Sequence, residues 1–305
     1  MQNSPLRINL DEYNAKSTSK LYESLYFCMA AILLTYRLQK NKLKKIKRDY
    51  EIVKKEYDQK NWKEIFENKE WLQFKSLHDY IFQIKKNGKD LQKVKIKALV
   101  DSKLYNISQY DYYKFRPMTM LNILKEFVAD DEKIVELGCG YGFNIFSLIV
   151  LNLKNKFEGY DISKNAIDAA NKITKQFNCD VTFGIYDMTK PFRPNLLTKK
   201  SVFTYYAFEQ LKYKTEKVIK NIIDQKPNQV LHFEPIIELY SNEIRDVASK
   251  LYLKAQDYQD NLLKTLRMFE SKKKLKITHV KRLGYSRNPL IEGSFVRWVP
   301  VMIKN

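Results

Sequence analysis

The stretch Ile134-Val135-Glu136-Leu137-Gly138-Cys139-Gly140-Tyr141-Gly142 decides the fold. A short apolar run is followed by three glycines at alternate positions and then by a segment with helical character. This order predicts a strand, a tight loop and a helix whose first N–H groups are open to a ligand. The chain has 305 residues and only 8 glycines. Five of these lie between Gly138 and Gly184, so the backbone freedom of glycine is concentrated around this loop.

The spacing of the glycines argues against two common classes of ligand-binding loop. A dinucleotide fingerprint needs glycine at position 143, which is Phe143. A phosphate-binding P-loop needs Gly-Lys followed by Ser or Thr, and no such run follows the loop. A carboxylate, Glu136, instead stands two residues before Gly138. A loop without a phosphate-binding lysine but with a neighbouring carboxylate suits a zwitterionic ligand that carries an ammonium group.

Downstream of the loop, short apolar runs alternate with amphipathic segments, which predicts a parallel sheet covered by helices on both faces. The predicted strands are Lys133–Leu137, Phe157–Asp161, Val181–Ile185, Ser201–Tyr205 and Gln229–Phe233. The predicted helices are Asn144–Leu153, Lys164–Gln176, Thr215–Ile223 and one long helical stretch over about Ile237–Phe269. Two β-like runs, Lys276–Leu283 and Ser294–Val301, end the chain as a predicted strand pair.

Carboxylates stand at the ends of the second and third strands. Asp161 follows Gly142 by 19 residues, where a carboxylate accepts hydrogen bonds from both hydroxyls of a ribose. Ile162 would cover one face of an adenine, and Asp187 would accept a hydrogen bond from its amino group. The alternative is that Asp161 only caps the helix that follows it.

Together these residues resemble the class I S-adenosylmethionine-dependent methyltransferases, over about Lys133 to Val301. The resemblance implies an α/β fold with a seven-stranded, mostly parallel Rossmann-like sheet that ends in an antiparallel hairpin. It implies that Glu136 and the three glycines line the methionine part of S-adenosylmethionine, that Asp161 holds the ribose, and that Asp187 and Met188 flank the adenine. The expected cofactor-binding residues are Glu136, Gly138, Cys139, Gly140, Gly142, Asp161, Ile162, Asp187, Met188 and Tyr205.

The ends of the fourth and fifth strands should flank the sulfonium group, because ligands bind outside the carboxyl ends of parallel strands. His232 lies at the end of the fifth strand, and its ordinary pKa suits a general base near neutral pH. Glu209 and Glu234 are the alternative bases, or would orient His232. The competing interpretation makes His232 a core residue and Glu209 a carboxylate at the start of a helix.

The acceptor should meet residues from the segment that enters the domain, from the fourth strand and from the terminal hairpin. An arginine in the entering segment would also pair with an anionic group. The expected substrate-binding residues are Tyr112, Tyr113, Arg116, Tyr206, Arg287, Asn288 and Arg297.

Several motifs are absent from the sequence. No [DN]-P-P-[YF] follows the fourth strand, which argues against amino methylation of nucleic-acid bases or glutamine. No cysteine follows the fourth or fifth strand, and no carboxylate cluster predicts a metal site. We therefore expect metal-independent transfer to oxygen or to an amine. The Glu-Gln after strand four and the HFEP after strand five resemble methyltransferases of sugars and related small metabolites, and a small-molecule or glycan acceptor is expected.

Charge supports a second hypothesis. The chain carries a net charge of +20, and residues 1–115 hold 24 of the 55 basic and 14 of the 35 acidic residues. We interpret residues 1–115 as a helical, lysine-rich region and residues 116–305 as the methyltransferase domain. An RNA methyltransferase would use the basic region to bind the phosphate backbone. The excess of basic residues is mostly lysine, and no RNA-binding module is recognisable in the sequence. Both observations argue against RNA, so an anionic small molecule is the favoured partner.

The most apolar segment is Ser24–Tyr36, which contains no charged residue and is too short to span a bilayer. It predicts a buried helix. Six basic residues at positions 40–48 leave a second interpretation, an interfacial helix in a non-catalytic adaptor at a membrane surface. No signal peptide is recognisable, and three cysteines without a CxxC motif fit a reducing cytoplasm.

Overall fold

A computed structural model describes residues 15–40, 50–86 and 88–301, without the side chains of residues 50, 60 and 61. The basic run therefore lies largely outside the described residues. The N-terminal elements are β1 (Lys16–Ser17), α1 (Lys20–Gln39), α2 (Tyr50–Glu56), a π-helical turn (Tyr57–Asn61), α3 (Trp62–Asn68), a 3-10 turn (Glu70–Gln73), α4 (Leu77–Ile81), β2 (Lys85–Lys86), β3 (Lys89–Asp90), β4 (Lys95–Val100) and β5 (Lys103–Ser108).

The N-terminal region is not wholly helical, which corrects the prediction. Strands β4 and β5 form an antiparallel hairpin, and β1 pairs with β5 to make a three-stranded sheet. The hairpin turns through Asp101 and Ser102, whose φ angles are 49° and 59°. Two successive residues with positive φ match the right-handed twist of the strands that they join.

The C-terminal part follows the predicted alternation of strands and helices. Its elements are α5 (Gln109–Phe127), β6 (Ile134–Leu137), α6 (Phe143–Val150), β7 (Phe157–Asp161), α7 (Lys164–Phe177), β8 (Val181–Ile185), β9 (Ser201–Tyr205), α8 (Thr215–Asp224), β10 (Gln229–Glu234), α9 (Ile244–Ala255), α10 (Leu262–Ser271), β11 (Leu275–Arg282) and β12 (Ser294–Pro300). Helix α5 runs without a break across the predicted boundary between residues 115 and 116, and that division stays a prediction.

The predicted seven-stranded sheet is confirmed. Its order is β11-β12-β10-β9-β6-β7-β8, with parallel pairing from β10 to β8 and antiparallel pairing in the terminal hairpin. Every residue of β6 and β10 is buried, because helices cover both faces of these central strands. Ile134 and Phe233 belong to one core cluster, while Val135 and Val230 belong to a second one on the other face.

The order of the strands shows where in the sheet a ligand crevice should lie. Strand β6 lies between β7 and β9, so the connections that leave β6 and β9 run in opposite directions along the sheet. At such a switch point the loops separate and leave a crevice outside the carboxyl ends of the strands. The glycine loop after β6 and the turn after β9 both lie at this edge.

Two helix predictions need correction. The single helix expected over Ile237–Phe269 is two helices, α9 and α10, because the chain turns at Asp257 (φ 54°) and Gln259 caps α10 through hydrogen bonds from two N–H groups. Helix α1 was predicted to be buried, but only Phe27, Ala31 and Leu34 are buried in it. Within the described residues no helix is both long enough and apolar enough to cross a membrane.

Candidate active site

The glycine loop adopts backbone conformations that require glycine. Gly138, Gly140 and Gly142 have φ angles of 76°, 53° and 85°. A Cβ on Gly138 would lie 2.5 Å from the Cβ of Ala207 in the turn after β9, so the two loops approach too closely for a side chain. The N–H groups of Gly138 and Cys139 both donate to the carbonyl of Tyr160, at 2.7 and 3.2 Å, which fixes the loop beside β7.

Asp161 lies directly against this loop. Its Oδ2 accepts a hydrogen bond from Gly140 N at 2.9 Å, and its Oδ1 accepts one from Ser163 N at 2.8 Å. The carboxyl is buried, and burial raises its pKa even though backbone N–H groups oppose the shift. Ser163 itself caps α7 through its own side chain, so Asp161 is not the side-chain cap of that helix. Its Oδ2 therefore links the end of β7 to the glycine loop.

A cavity of about 940 Å³ runs along the carboxyl edge of the sheet, from the end of β8 to the loop between β11 and β12. This volume is at the upper end of the ~300–1,000 Å³ typical of small-ligand pockets. The cavity brings together most of the residues that the sequence predicted for cofactor and acceptor. The predicted residues that border it are Gly138, Cys139, Gly140, Asp161, Ile162, Asp187, Met188, Tyr205, Tyr112, Tyr113, Arg116, Tyr206, Arg287, Asn288 and Glu209.

Glu136 does not border the cavity, which corrects its predicted place. It is fully buried, and its Oε1 accepts a hydrogen bond from Asn144 Nδ2 at 2.6 Å. Burial raises the pKa of Glu136 to about 8, although the Asn144 bond and the charge of Arg116 oppose the shift. Glu136 therefore lies one residue behind the cavity wall, beneath Asn144.

Arg116 in α5 continues this chain of hydrogen bonds. Its Nη2 donates to Asn144 Oδ1 at 2.8 Å, and its Nε donates to Tyr205 Oη at 3.1 Å. The guanidinium also stacks on the rings of Tyr205 and Phe143, at 4.5 and 5.3 Å from their centroids. A positive charge is thus held between the start of α6 and the end of β9, at the middle of the cavity.

The segment from α2 to α3 covers the glycine loop. A Cβ on Gly140 would lie 3.0 Å from the ring of Trp62, and that ring lies 5.6 Å from the ring of Tyr141. Asp58 joins this segment to the start of α7, where it accepts hydrogen bonds from Ser163 Oγ at 2.6 Å and Asn165 N at 3.1 Å. We call residues 50–68 the roof of the cavity. Sequence analysis gave the roof no role, although Trp62 was visible as a large aromatic side chain in a charged helix.

The opposite end of the cavity is formed by the loop after β11. Arg287 is exposed there, and its guanidinium lies 6.0 Å from the centroid of the Tyr113 ring. Among the described residues no carboxylate forms an ion pair with Arg287. Tyr206 Oη donates to the carbonyl of Ile291 at 2.9 Å, and Leu99 N in β4 donates to the carbonyl of Ser286 at 2.8 Å. The N-terminal hairpin and the turn after β9 therefore both hold this loop in place.

His232 is a core residue, so the prediction that it acts as the base was wrong. It is fully buried, does not border the cavity, and burial lowers its pKa to about 3. Trp298 Nε1 donates to His232 Nε2 at 3.0 Å, and since an indole nitrogen only donates, this Nε2 carries no proton. The proton is on Nδ1, which lies 2.9 Å from Thr204 Oγ1 and donates to it. No lone pair of the ring is left for a substrate.

The two glutamates predicted as alternatives have different positions. Glu234 is fully buried and outside the cavity, and its Oε1 accepts a hydrogen bond from Ala207 N at 3.0 Å. Burial raises the pKa of Glu234 to about 7. It holds the turn after β9 rather than a ligand. Glu209 borders the cavity, and Gln210 Nε2 donates to its Oε1 at 2.9 Å. Of the three predicted bases, Glu209 alone reaches the cavity.

Two further predicted residues also lie outside the cavity. Gly142 is the N-cap of α6, and a Cβ there would lie 2.6 Å from the ring of Phe183, so it allows close packing in the core. Arg297 donates to Gln229 Oε1 at 2.6 Å and to Thr278 Oγ1 at 3.0 Å, toward the amino end of β10 and away from the cavity. In the part of the chain that the structure describes, no three His, Cys, Asp or Glu side chains converge as a metal site requires.

The chain is similar to one family of known proteins and to several solved structures. Residues 129–277 match the family described as a methyltransferase domain. Among solved structures, magnesium protoporphyrin IX methyltransferase from Synechocystis PCC 6803 with bound SAH is 12% identical, with a TM-score of 0.50 over 82% of this chain and 99% of that chain. The O-methyltransferase family 2 protein from Planctomyces limnophilus DSM 3776, in complex with apigenin, is 12% identical, with a TM-score of 0.45 over 61% and 56%. PH0226 from Pyrococcus horikoshii OT3 is 15% identical, with a TM-score of 0.45 over 62% and 91%.

A search of the curated proteins finds no match. At 12% identity, the similarity to the Synechocystis structure shows a shared fold.

Proposed function

Since this chain carries a class I, S-adenosylmethionine-dependent methyltransferase domain over residues 129–277, we propose that it methylates an oxygen or amine of a small molecule or glycan with an anionic group. The observation that carries this proposal is the cavity, which extends well past the glycine loop and Asp161 to Arg287 and Asn288. The cofactor would occupy the half beneath the roof. The half beside the loop after β11 is left for an acceptor.

Residues at the end of β7 and after β8 support the place of the cofactor. Gly138, Gly140 and Asp161 border the cavity where the methionine and ribose parts would lie, and Ile162 and Asp187 border it where the adenine would lie. Glu136 and Arg116 are joined through Asn144, so a carboxyl group and a guanidinium both influence the position of the amino-acid part. The bound cofactor supplies an electrophilic methyl group.

The charge of the cavity wall supports an anionic acceptor. Arg116 and Arg287 border the cavity, as do the lysines Lys54 and Lys86 on the N-terminal side. An arginine at the rim recognises a carboxylate or phosphate through its planar fork of N–H donors. Tyr112, Tyr113 and Tyr206 add aromatic surface between these cations, which suits the apolar part of a small molecule or the face of a sugar ring.

The reaction asks for alignment and, with a hydroxyl acceptor, for removal of a proton. Glu209 follows β9, borders the cavity and is itself buried, so it is the proposed general base. Tyr206 next to β9 has a φ of 50°, and its hydroxyl is fixed to the loop after β11. It would position the acceptor between Glu209 and Arg287.

The three cysteines support a cellular location for the proposed reaction. Cys28, Cys139 and Cys179 are free thiols, as in a reducing compartment. The proposal therefore places the enzyme in the cytoplasm.

A transfer assay tests the proposed function. The full chain is incubated with methyl-labelled S-adenosylmethionine and, in separate reactions, with nucleotide sugars, anionic glycans, aromatic carboxylic acids or bulk RNA. We expect label to enter one of the small-molecule classes, and Arg287→Gln to raise the KM for that acceptor with little change in cofactor affinity. Label that enters only RNA, with a rate that falls steeply as salt is added, would replace this proposal with the RNA hypothesis.

A further inference from the structure

Helix α1 is apolar on two sides, and the residues that the structure describes cover only one of them. Phe27, Ala31 and Leu34 face inward, and α1 packs along α9. Seven large apolar or aromatic side chains on the opposite side are exposed to between 43% and 72%. These residues, the α1 outer face, are Leu21, Tyr22, Leu25, Met29, Ile32, Leu33 and Tyr36.

The α1 outer face is a continuous stripe. At 100° per residue, its seven positions fall within about a third of the helix circumference and extend over four turns. The helix carries one acid, Glu23, and its Oε2 accepts a hydrogen bond from Leu104 N at 3.2 Å, so it is turned toward β5. An apolar stripe of this length is rare on a surface that meets only water.

Positive charge borders the stripe at both ends. Lys16 is exposed before the helix and Lys20 in its first turn, while Arg37 is exposed in the last turn and Lys40 directly after it. Lys97 in β4 lies 5.5 Å from the ring of Tyr22, and Lys40 lies 5.7 Å from the ring of Tyr36. Tyrosines beneath lysines at the edge of an apolar stripe match the layering of a lipid interface, where aromatic rings lie at the level of the headgroups.

We propose that the α1 outer face docks this protein on an anionic phospholipid bilayer, with the helix parallel to the membrane plane. The apolar stripe would enter the boundary between headgroups and acyl chains, and the flanking lysines would contact the anionic headgroups. The sequence carries further basic residues at positions 42–48, directly after the helix, and these increase the attraction without belonging to the docking surface itself.

Charge favours a bilayer over a second copy of the chain. Two copies that met through this face would bring together two sets of lysines on chains with a net charge of +20 each. Like charges oppose that contact, whereas an anionic bilayer is attracted by them.

The test is flotation of the full chain with vesicles. Phosphatidylcholine vesicles are compared with vesicles that contain about one quarter phosphatidylserine, at low and at high salt. We expect flotation only with the anionic vesicles, and less of it at high salt, because salt screens the lysines. Ile32→Glu should lower the vesicle-bound fraction at least about tenfold, because one isoleucine leaves the apolar layer and a negative charge enters it.

The matched control is Leu72→Glu, which places the same charge at an apolar residue that is 58% exposed outside α1. It should float like the wild type, and both variants should keep the thermal unfolding midpoint and the cofactor affinity of the wild type. Absence of flotation for the wild type would overturn the proposal, as would equal flotation of Ile32→Glu. A lipid-independent dimer in sedimentation that Ile32→Glu converts to monomer would assign the face to a second copy instead. The inference does not depend on the identity of the methyl acceptor.

Discussion

Glu209 is the proposed general base, so the chemistry of the site should depend on this residue. Glu209→Gln keeps the size of the side chain and its acceptor for Gln210 but removes the base. For a hydroxyl acceptor we expect kcat to fall about 10²–10⁴-fold, with an unchanged dissociation constant for the cofactor. Initial rates and calorimetry measure the two quantities, and Glu216→Gln on the exposed face of α8 is the control. Full activity of Glu209→Gln would remove Glu209 from the mechanism.

His232 should appear in the stability of the protein rather than in its activity. The pKa of the folded state, about 3, is below the ordinary value of 6.5. Between these two values the imidazole of His232 is protonated in the unfolded chain and neutral in the folded protein. The free energy of unfolding therefore falls as the pH drops from 6.5 toward 3. The contribution is at most about 1.4 kcal/mol per pH unit.

Urea unfolding of the wild type and of His232→Gln, at pH 7 and at pH 5, measures this contribution. The stability advantage of the wild type should be smaller at pH 5. An equal difference at both values would contradict a neutral, buried His232.

At the scale of single residues, the sequence predicted well what depends on local spacing. The glycines of the loop and Asp161 are close in the chain and border one strand–loop–helix unit, so their positions follow from it. His232 was misplaced because its partner Trp298 lies 66 residues away, in a strand that pairs with β10. Only the register of the sheet shows that the indole of Trp298 donates a hydrogen bond to Nε2 of His232.

Among the elements, the roof is the one on which cofactor affinity should depend most. Trp62 closes over Gly140, so Trp62→Ala should open the cavity and raise the dissociation constant of S-adenosylmethionine about tenfold, from the loss of one aromatic contact and its buried area. Calorimetry measures the change. Trp62→Phe keeps most of the contact and should bind nearly as the wild type does. Equal affinity for Trp62→Ala would show that the roof does not touch the cofactor.

The elements themselves were predictable where the pattern was strong. All five parallel strands and both strands of the terminal hairpin occur where the apolar runs placed them. The β4–β5 hairpin was missed because its lysine-rich strands resemble the helical segments around it, and its turn consists of Asp101 and Ser102 rather than glycine. The burial of α1 was overestimated because apolar composition does not show how many sides of a helix the protein covers.

For the whole molecule, an ion-pair cluster connects α9 to the loop after β11, which forms one end of the cavity. Arg282 donates to both oxygens of Asp246 in α9, at 2.6 and 2.9 Å, and its Nη2 donates to Glu292. Both carboxylates are almost completely buried. Glu292 Oε1 also accepts a hydrogen bond from Gly284 N at 3.1 Å, at the start of the loop that carries Arg287.

Removal of Arg282 should leave two buried carboxylates that keep, among the described residues, only the longer ion pairs to Arg245, at 3.5 and 3.7 Å. We expect Arg282→Gln to lower the free energy of unfolding by about 3–5 kcal/mol, whereas Arg267→Gln on the exposed side of α10 should change it by less than about 0.5 kcal/mol. Urea unfolding measures both. A loss below about 1 kcal/mol for Arg282→Gln would show that Arg245 or solvent compensates the two carboxylates without Arg282.

The same cluster should produce a loss of stability in acid. Burial alone would raise the pKa of Asp246, but hydrogen bonds from Arg282 and Ser241 outweigh it and lower the pKa to about 2. This contribution is present above the ordinary pKa of 3.8 and is lost as the pH falls toward 2. Arg282→Gln should lose most of this dependence.

At this scale the sequence was least informative. The roof is joined to α7 by a hydrogen bond between Asp58 and Ser163, which are 105 residues apart. Neither residue has a local pattern that indicates the other. The net charge suggested nucleic acid, but the structure places exposed lysines beside an apolar helix face and cations around a cavity.

Calorimetric titration with S-adenosylmethionine tests the central claim most directly. We predict that the wild type binds one cofactor per chain. Asp161→Asn should stay folded but show no measurable binding, with a lower unfolding midpoint because one of two backbone N–H groups loses its acceptor. The control is Asp168→Asn, which removes a carboxylate that pairs with Lys164 on α7 and should bind the cofactor like the wild type. A wild type that produces no heat of binding, or an Asp161→Asn variant with wild-type affinity, would contradict the assignment of this cavity to the cofactor.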